Sequence, residues 1–277
     1  MTSGTISILG CGWLGVPLAR YFFKNGFTVK GSVATPEKLD LLSINGILPY
    51  QLVLTEKEVI VNDSSFFDCE VLIISIPPRH IDGIQQVFPA QIGQLIPLIL
   101  MSGIEKVVFI SSTSVYPEML QLAREGDAFS PNTESGKALL LAEDLLRNQT
   151  DFKTTIIRFG GLVGADRNPV SSLVKSGRTV ANAPVNLIHQ KDCIGIISAI
   201  IEQEVWGETL NACCTEHPMK KDFYEKAARV SGLPEPQISA QVENFKLVDS
   251  SKVIRLLNYR FIFSNPMDFF DYPENLK

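Results

Sequence analysis

The 277-residue chain is 45% hydrophobic and 20% charged, the usage of a soluble globular protein, and its length lets it bury about three quarters of its unfolded surface. Twenty-five Lys and Arg against 30 Asp and Glu give a net charge of −5 with no basic run, so the electrostatic footprint of a nucleic-acid binder is missing. Apolar runs such as Leu95–Met101 fall short of the ~20 residues of a membrane span, no positive signal-peptide region opens the chain, and the five cysteines and three scattered histidines form no disulfide framework or zinc spacing.

Those features predict a cytoplasmic protein with free thiols, no metal and no membrane or nucleic-acid partner. Strand-length apolar runs alternate with amphipathic runs of helical length. Strands are predicted near 5–9, 28–33, 51–54, 71–76, 107–111 and 154–158. Helices are predicted near 13–25, 36–44, 81–101 (broken by Pro89 and Pro97), 134–148, 192–203 and 220–231. This alternation predicts an α/β fold, a doubly wound parallel sheet with a small C-terminal α/β lobe. The expected division is a Rossmann domain over 1–160 and a substrate lobe over 161–277, interleaved and packed together with a cleft at the strand ends.

Gly10-Cys11-Gly12-Trp13-Leu14-Gly15 follows the first strand and opens the first helix. The three glycines suit a tight turn, close backbone approach to a pyrophosphate, and close packing of helix on strand. Gly26 then stops the helix before the second strand, so the whole context of a dinucleotide fingerprint is present. An NAD site usually carries an acid at the end of that second strand. Here the stretch reads Lys30-Gly-Ser32-Val-Ala-Thr35-Pro36. Ser32 and Thr35 could bond a 2′-phosphate, with Lys38 adding charge, so NADP and NAD both remain open with the balance toward NADP. Thr35 before Pro36 also reads as an ordinary helix cap.

A second constellation begins at Val107-Val-Phe-Ile-Ser111-Ser112-Thr-Ser-Val-Tyr116-Pro117, with Lys137 following 25 residues after Ser112. Further on stand Arg158-Phe-Gly-Gly161-Leu-Val-Gly164, Asn186-Leu-Ile-His189-Gln-Lys-Asp192, Leu210-Asn-Ala212 and Asp249-Ser-Ser-Lys. Taken in order with the fingerprint, these resemble the extended short-chain dehydrogenases/reductases, the NAD-dependent epimerase/dehydratase family. The chain looks most like the atypical YeeZ-like subgroup, in which GxGWLG replaces the usual TGxxGxxG.

The resemblance implies an NAD(P) site formed by residues 10–15, Ser32, Thr35, Pro77, Pro78, Ser111 and Lys137. It implies a catalytic unit of Ser112, Lys137 and, four residues before that lysine, a tyrosine. That position is Thr133. An aliphatic hydroxyl ionises far above a phenol's ~10, so Thr133 is no general acid or base near neutrality. Tyr116 has a structural counterpart in the family. Gly161 stands where many members place a substrate-contacting Asn. Arg79, Arg167, Arg178 and His189 are candidate substrate residues, and His80 reads as a loop residue.

Two functions remain open. One is an epimerase/dehydratase- or reductase-like protein acting on a polar, nucleotide-sugar-like small molecule. The other is a non-catalytic NAD(P)-binding or sensor protein that lost the phenol. A 6-phosphogluconate- or prephenate-dehydrogenase type of start is a third reading, disfavoured by Leu210–Ala212 and the Pro-rich tail. A homodimer through helices 81–101 and 134–148 is an expectation of the family resemblance.

Overall fold

The computed structural model describes residues 4–79, 81–119, 121–239, 241 and 244–271. His80 lies outside the described residues. The first elements are β1 (Thr5–Leu9), α1 (Gly15–Lys24), β2 (Thr28–Val33), α2 (Leu39–Ile44), β3 (Leu48–Leu54), β4 (Val59–Val61) and β5 (Val71–Ile74). Next come α3 (Ile84–Gly93), α4 (Leu95–Met101), β6 (Lys106–Ser112), β7 (Gln121–Ala123), α5 (Glu134–Arg147), β8 (Lys153–Phe159), β9 (Gly161–Val163) and α6 (Pro169–Ser176). The chain continues through β10 (Val180–Ala181), β11 (Leu187–His189), α7 (Gln190–Glu202) and β12 (Thr209–Ala212). The last elements are α8 (Lys220–Ser231), β13 (Ile238–Ser239), β14 (Lys246–Val248) and α9 (Ser251–Leu257).

Eight strands form one mostly parallel sheet in the order β12-β8-β6-β5-β1-β2-β3-β4. β1 pairs in parallel with β2 on one side and β5 on the other, while β4 closes the edge antiparallel to β3. The strand order therefore reverses at β1, the switch point where open α/β sheets bind ligands. All four residues of β5, Val-Leu-Ile-Ile, are buried, as expected for a strand covered on both faces. α1 buries Leu18, Ala19 and Phe22 on one helical face.

The long helix expected over 81–101 is interrupted at Gln94, and Pro89 lies inside α3. Pro97 has no N–H to give the Gly93 carbonyl, so the hydrogen-bond ladder restarts at Leu95 and Pro97 falls in the new first turn. Ile84–Met101 is an 18-residue stretch long and apolar enough, by length and composition, to cross a membrane. α3 packs along α5.

The chain divides into two compact units. The first comprises Met1–Val115, Pro131–Ile157 and Ile197–Thr209; the second comprises Tyr116–Ser130, Arg158–Ile196 and Leu210–Lys277. The second unit has its own apolar core, built on Val170, Phe223, Phe263, Phe269 and their neighbours. Within it, Asp192 at the start of α7 is fully buried. Its carboxylate accepts from the Tyr259 hydroxyl (3.0 Å) and from the backbone N–H groups of Ile262 (2.7 Å) and Phe263 (3.2 Å).

Candidate functional site

In the first unit the parallel strands β1, β2, β5 and β6 bring four loops to one edge of the sheet. The loop after β1 is the fingerprint itself. Gly10 has φ +97°, a conformation that favours glycine, and a Cβ there would meet Ile76 and the Ser75 backbone. A Cβ on Gly15 would lie 2.3 Å from the Gly10 carbonyl oxygen, so α1 starts in direct contact with the turn. Gly12 differs: a Cβ there would meet nothing within 4 Å. Its backbone is exposed, and only the absent side chain keeps that face clear.

The turn is tied to β2. Gly10 N–H donates to Ser32 Oγ (3.2 Å), Cys11 N–H to the Ser32 carbonyl (2.8 Å) and Gly12 N–H to the Gly10 carbonyl (2.9 Å). At the start of α1 the Val16 N–H donates to the Gly12 carbonyl (3.1 Å) and the Leu18 N–H to the Leu14 carbonyl (3.1 Å), Pro17 has no N–H, and no acidic residue stands in the first turn. A positive dipole end beside an open glycine fits a dinucleotide pyrophosphate. Trp13 and Leu14 complete the turn, half-buried and buried. Cys11 sits beneath it, and burial pushes its thiol up to about 12 against the Ser32 backbone hydrogen bond, so it stays a neutral packing group.

Ser32 is buried and its hydroxyl accepts from Gly10, whereas Thr35 is exposed. Thr35 precedes a 3-10 turn at Pro36 without a side-chain cap hydrogen bond. Pro77, Pro78 and Arg79 follow β5, with Pro77 and Arg79 exposed.

At the end of β6 the hydroxyl cluster divides. Ser111 is buried and donates to Glu143 Oε1 on α5 (2.5 Å). Ser112 is half-buried, and its Oγ accepts from Ser114 N–H (3.1 Å). Thr133 is the N-cap of α5, its Oγ1 accepting from Gly136 N–H (3.0 Å). Gly136 lets the helix approach closely: a Cβ there would lie 2.3 Å from the Ser114 carbonyl oxygen. Lys137 is exposed and pairs with Glu134 (2.8 Å). Ser112 and the start of α5 are thus brought to one place, while the Lys137 ammonium is engaged by its own helix.

Sequence reasoning missed Glu143. The signal was available: Ala138, Leu139, Ala142 and Leu146 form the buried face of α5, and an acid stands among them.

The second unit collects the candidate substrate residues only in part. Gly161 and Arg167 line a cavity of about 860 Å³ with Asn168, Lys175, Tyr224 and Leu233. Arg178 is exposed and lies outside that lining. His189 is buried against Phe263 and Phe269, ring centroids 4.5 and 5.4 Å away, and its Nδ1 accepts from Lys191 N–H (3.1 Å). It is a core side chain, engaged by apolar rings.

Tyr116 is also internal. Its hydroxyl donates to Asn211 Oδ1 (2.5 Å) and accepts from buried Arg158 Nη1 (2.8 Å). Burial pushes its phenol up to about 12, with Arg158 opposing. A phenol held that high exchanges no proton near neutrality. Among the described residues, no group of three or more His, Cys, Asp or Glu could hold a metal ion.

No protein-family model matches the chain. Protein YeeZ of Escherichia coli (strain K12) is 30% identical over 268 residues, covering 95% of this chain and 97% of that protein. Among solved structures, UDP-glucuronic acid 4-epimerase from Bacillus cereus in complex with NAD aligns with a TM-score of 0.78 at 20% identity, covering 98% of this chain and 99% of that one. MoeE5 in complex with UDP-glucose and NAD aligns with a TM-score of 0.78 at 15% identity over 99% and 97% of the two chains. A functionally unknown conserved protein from Silicibacter pomeroyi aligns with a TM-score of 0.75 at 20% identity over 97% of each. At those identities the structures establish the fold, a Rossmann-like α/β sheet. The near-complete match to Protein YeeZ establishes more: the chain belongs to the YeeZ family, on the fold of the short-chain dehydrogenases/reductases and NAD-dependent epimerases.

Proposed function

We propose that the protein binds a nicotinamide dinucleotide at the Gly10–Gly15 turn and acts, in an epimerase/dehydratase- or reductase-like way, on a polar, nucleotide-sugar-like small molecule. The observation that carries this is Gly12, whose backbone faces open space at the switch point while Gly10 and Gly15 are pressed into the fold. Solved structures sharing the fold are complexes with NAD, and one is a complex with UDP-glucose and NAD. When bound, such a cofactor supplies hydride acceptance and donation. The turn and the start of α1 would hold its pyrophosphate, and Ser112, half-buried at the end of β6, would hydrogen-bond a substrate carbonyl or hydroxyl.

Ser32 holds the turn, so a 2′-phosphate would rest on Thr35 and Lys38, both exposed. NAD, which solved structures sharing the fold hold, is the cofactor we propose. The second unit is the proposed substrate-holding part. Five free cysteines, four of them buried, support a reducing, cytoplasmic setting.

A second reading has its own observation. The Thr133 hydroxyl caps α5 and offers no proton, which favours a dinucleotide-binding or sensing protein without redox turnover. Thermal unfolding with NAD⁺, NADH, NADP⁺ and NADPH tests the part common to both. Ligand at 100 times its dissociation constant adds about 2.7 kcal/mol, a rise of several degrees. We expect that rise with the NAD pair. A flat response to all four overturns both readings; a rise without turnover of any sugar nucleotide favours the second.

A further inference from the structure

A group of exposed apolar side chains lies at the end of α1 farthest from the fingerprint. The Phe23 ring rests on the backbone of Gly46, where a Cβ would come within 2.5 Å of it. Ile44 and Leu48 flank Gly46 in the chain, and Leu41 lies one turn before Ile44 on α2, so all three stand around that ring. Phe23, Leu41 and Leu48 are 47–48% exposed, and Ile44 is 83% exposed. α1 and α2 join the consecutive parallel strands β1, β2 and β3, and right-handed crossovers put both helices on one face of the sheet. Phe23 follows Gly15 by eight residues, about 12 Å along the helix, so this surface is no part of the dinucleotide turn.

Its rim is charged, with one sign on each side. Arg20 and Lys24 share the exposed face of α1 with Phe23. Glu37 and Asp40 stand on the other side, Asp40 one turn before Ile44 on α2. All four charged side chains are exposed, and among the described residues none of them makes a hydrogen bond or an ion pair.

We propose that this α1–α2 face joins two copies of the chain. Single exposed apolar residues are ordinary, but four gathered around one glycine make a continuous surface of the kind that marks a contact. An aromatic and aliphatic centre inside a charged rim is the anatomy of a protein interface. The charges say which partner fits. A two-fold contact sets a surface against itself, and a rim of one sign would repel its own copy. Here a two-fold axis running along the helices sets α1 of one copy against α2 of the other. Arg20 and Lys24 then meet the acidic side twice, once in each direction, and Phe23 meets the partner's Ile44. The helices 81–101 and 134–148, where the family resemblance places a homodimer, contain none of these residues.

Sedimentation velocity of the full-length protein at low ionic strength tests this against Ile44→Asp. The Ile44 side chain is mostly exposed, so the variant should fold as wild type does. Wild type is expected to sediment at twice the mass of the variant, because a two-fold contact places the new carboxylate in its apolar centre twice. Arg20→Glu and Asp40→Lys then test the rim. Each sets like charges against each other and is expected to weaken association about tenfold or more, and combining the two restores opposite signs and with them the association. Equal masses for wild type and Ile44→Asp overturn the proposal. So does a combined Arg20→Glu, Asp40→Lys protein that associates no better than either single variant.

Discussion

The Ser111 hydroxyl donates a hydrogen bond to Glu143 Oε1 (2.5 Å), and neither side chain is more than 5% exposed. Glu143 also accepts from Arg147 Nη2 (3.2 Å), whose guanidinium reaches solvent. A carboxylate with no exposed surface persists only when hydrogen-bonded. Glu143→Leu strands the Ser111 hydroxyl and is expected to cost about 1–3 kcal/mol. Arg147→Ala, which removes an exposed partner, should cost less than about 1 kcal/mol. Urea unfolding measures both, and equal costs would show that the buried hydrogen bond is not the contributing element.

The fingerprint glycines are separable by the space around them. Gly12→Val enters open space, so its stability should stay within about 0.5 kcal/mol of wild type while dinucleotide affinity falls. Gly15→Ala meets the Gly10 carbonyl oxygen at 2.3 Å and should destabilise the fold itself. Quenching of Trp13 fluorescence by NAD⁺, run beside the unfolding curves, separates the two losses. A Gly12→Val protein that binds NAD⁺ as wild type does would remove the turn from the site.

Thr133 serves α5 as its N-cap. Thr133→Ala should cost about 1 kcal/mol of stability, and Thr133→Ser almost none. Circular-dichroism melts decide this. A Thr133→Ala protein with unchanged melting would show that the cap contributes nothing and would reopen the position's chemistry.

Much of the first unit was legible because its strands are long, apolar and separated by amphipathic helices: β1, β2 and β5 lie where periodicity puts them. The second unit was not, since β7, β9, β10, β11, β13 and β14 are two or three residues long. Each pairs with a partner distant in sequence, as Lys246–Val248 does with Gln121–Ala123, and so carries no period of its own. The turn was legible at Gly10 and Gly15, where a positive φ and a close approach of helix to turn require glycine, whereas the fold itself makes no such demand at Gly12. His189 and Ser32 were not: residue type suggested ligand contact, but only three-dimensional neighbours show a histidine between phenylalanines and a serine occupied by Gly10. The same holds for Thr133, where spacing suggested a displaced catalytic position and the structure shows a capping hydroxyl.

Stability at alkaline pH should depend on Tyr116. Burial raises its folded pKa to about 12 from an ordinary value of 10.0, against the opposing charge of Arg158. The neutral phenol is therefore favoured in the folded state. Its contribution is complete below pH 10 and is lost as pH rises toward 12, on the order of 2 kcal/mol. Tyr116→Phe lacks this loss, so wild type should lose stability relative to the variant over that interval. A constant difference between the two, measured by urea unfolding at each pH, would contradict the burial-raised phenol.

The three donors that Asp192 accepts, from Tyr259, Ile262 and Phe263, impose an order on the birth of the molecule. They leave the ribosome some seventy residues after the carboxylate they satisfy, as the distances along the chain require. The first unit, too, waits for Ile197–Thr209 before its last segment exists. A nascent chain halted near residue 160 therefore holds neither unit whole. A chain clipped before Tyr259 keeps every fingerprint residue yet leaves the Asp192 carboxylate without the three donors that satisfy it.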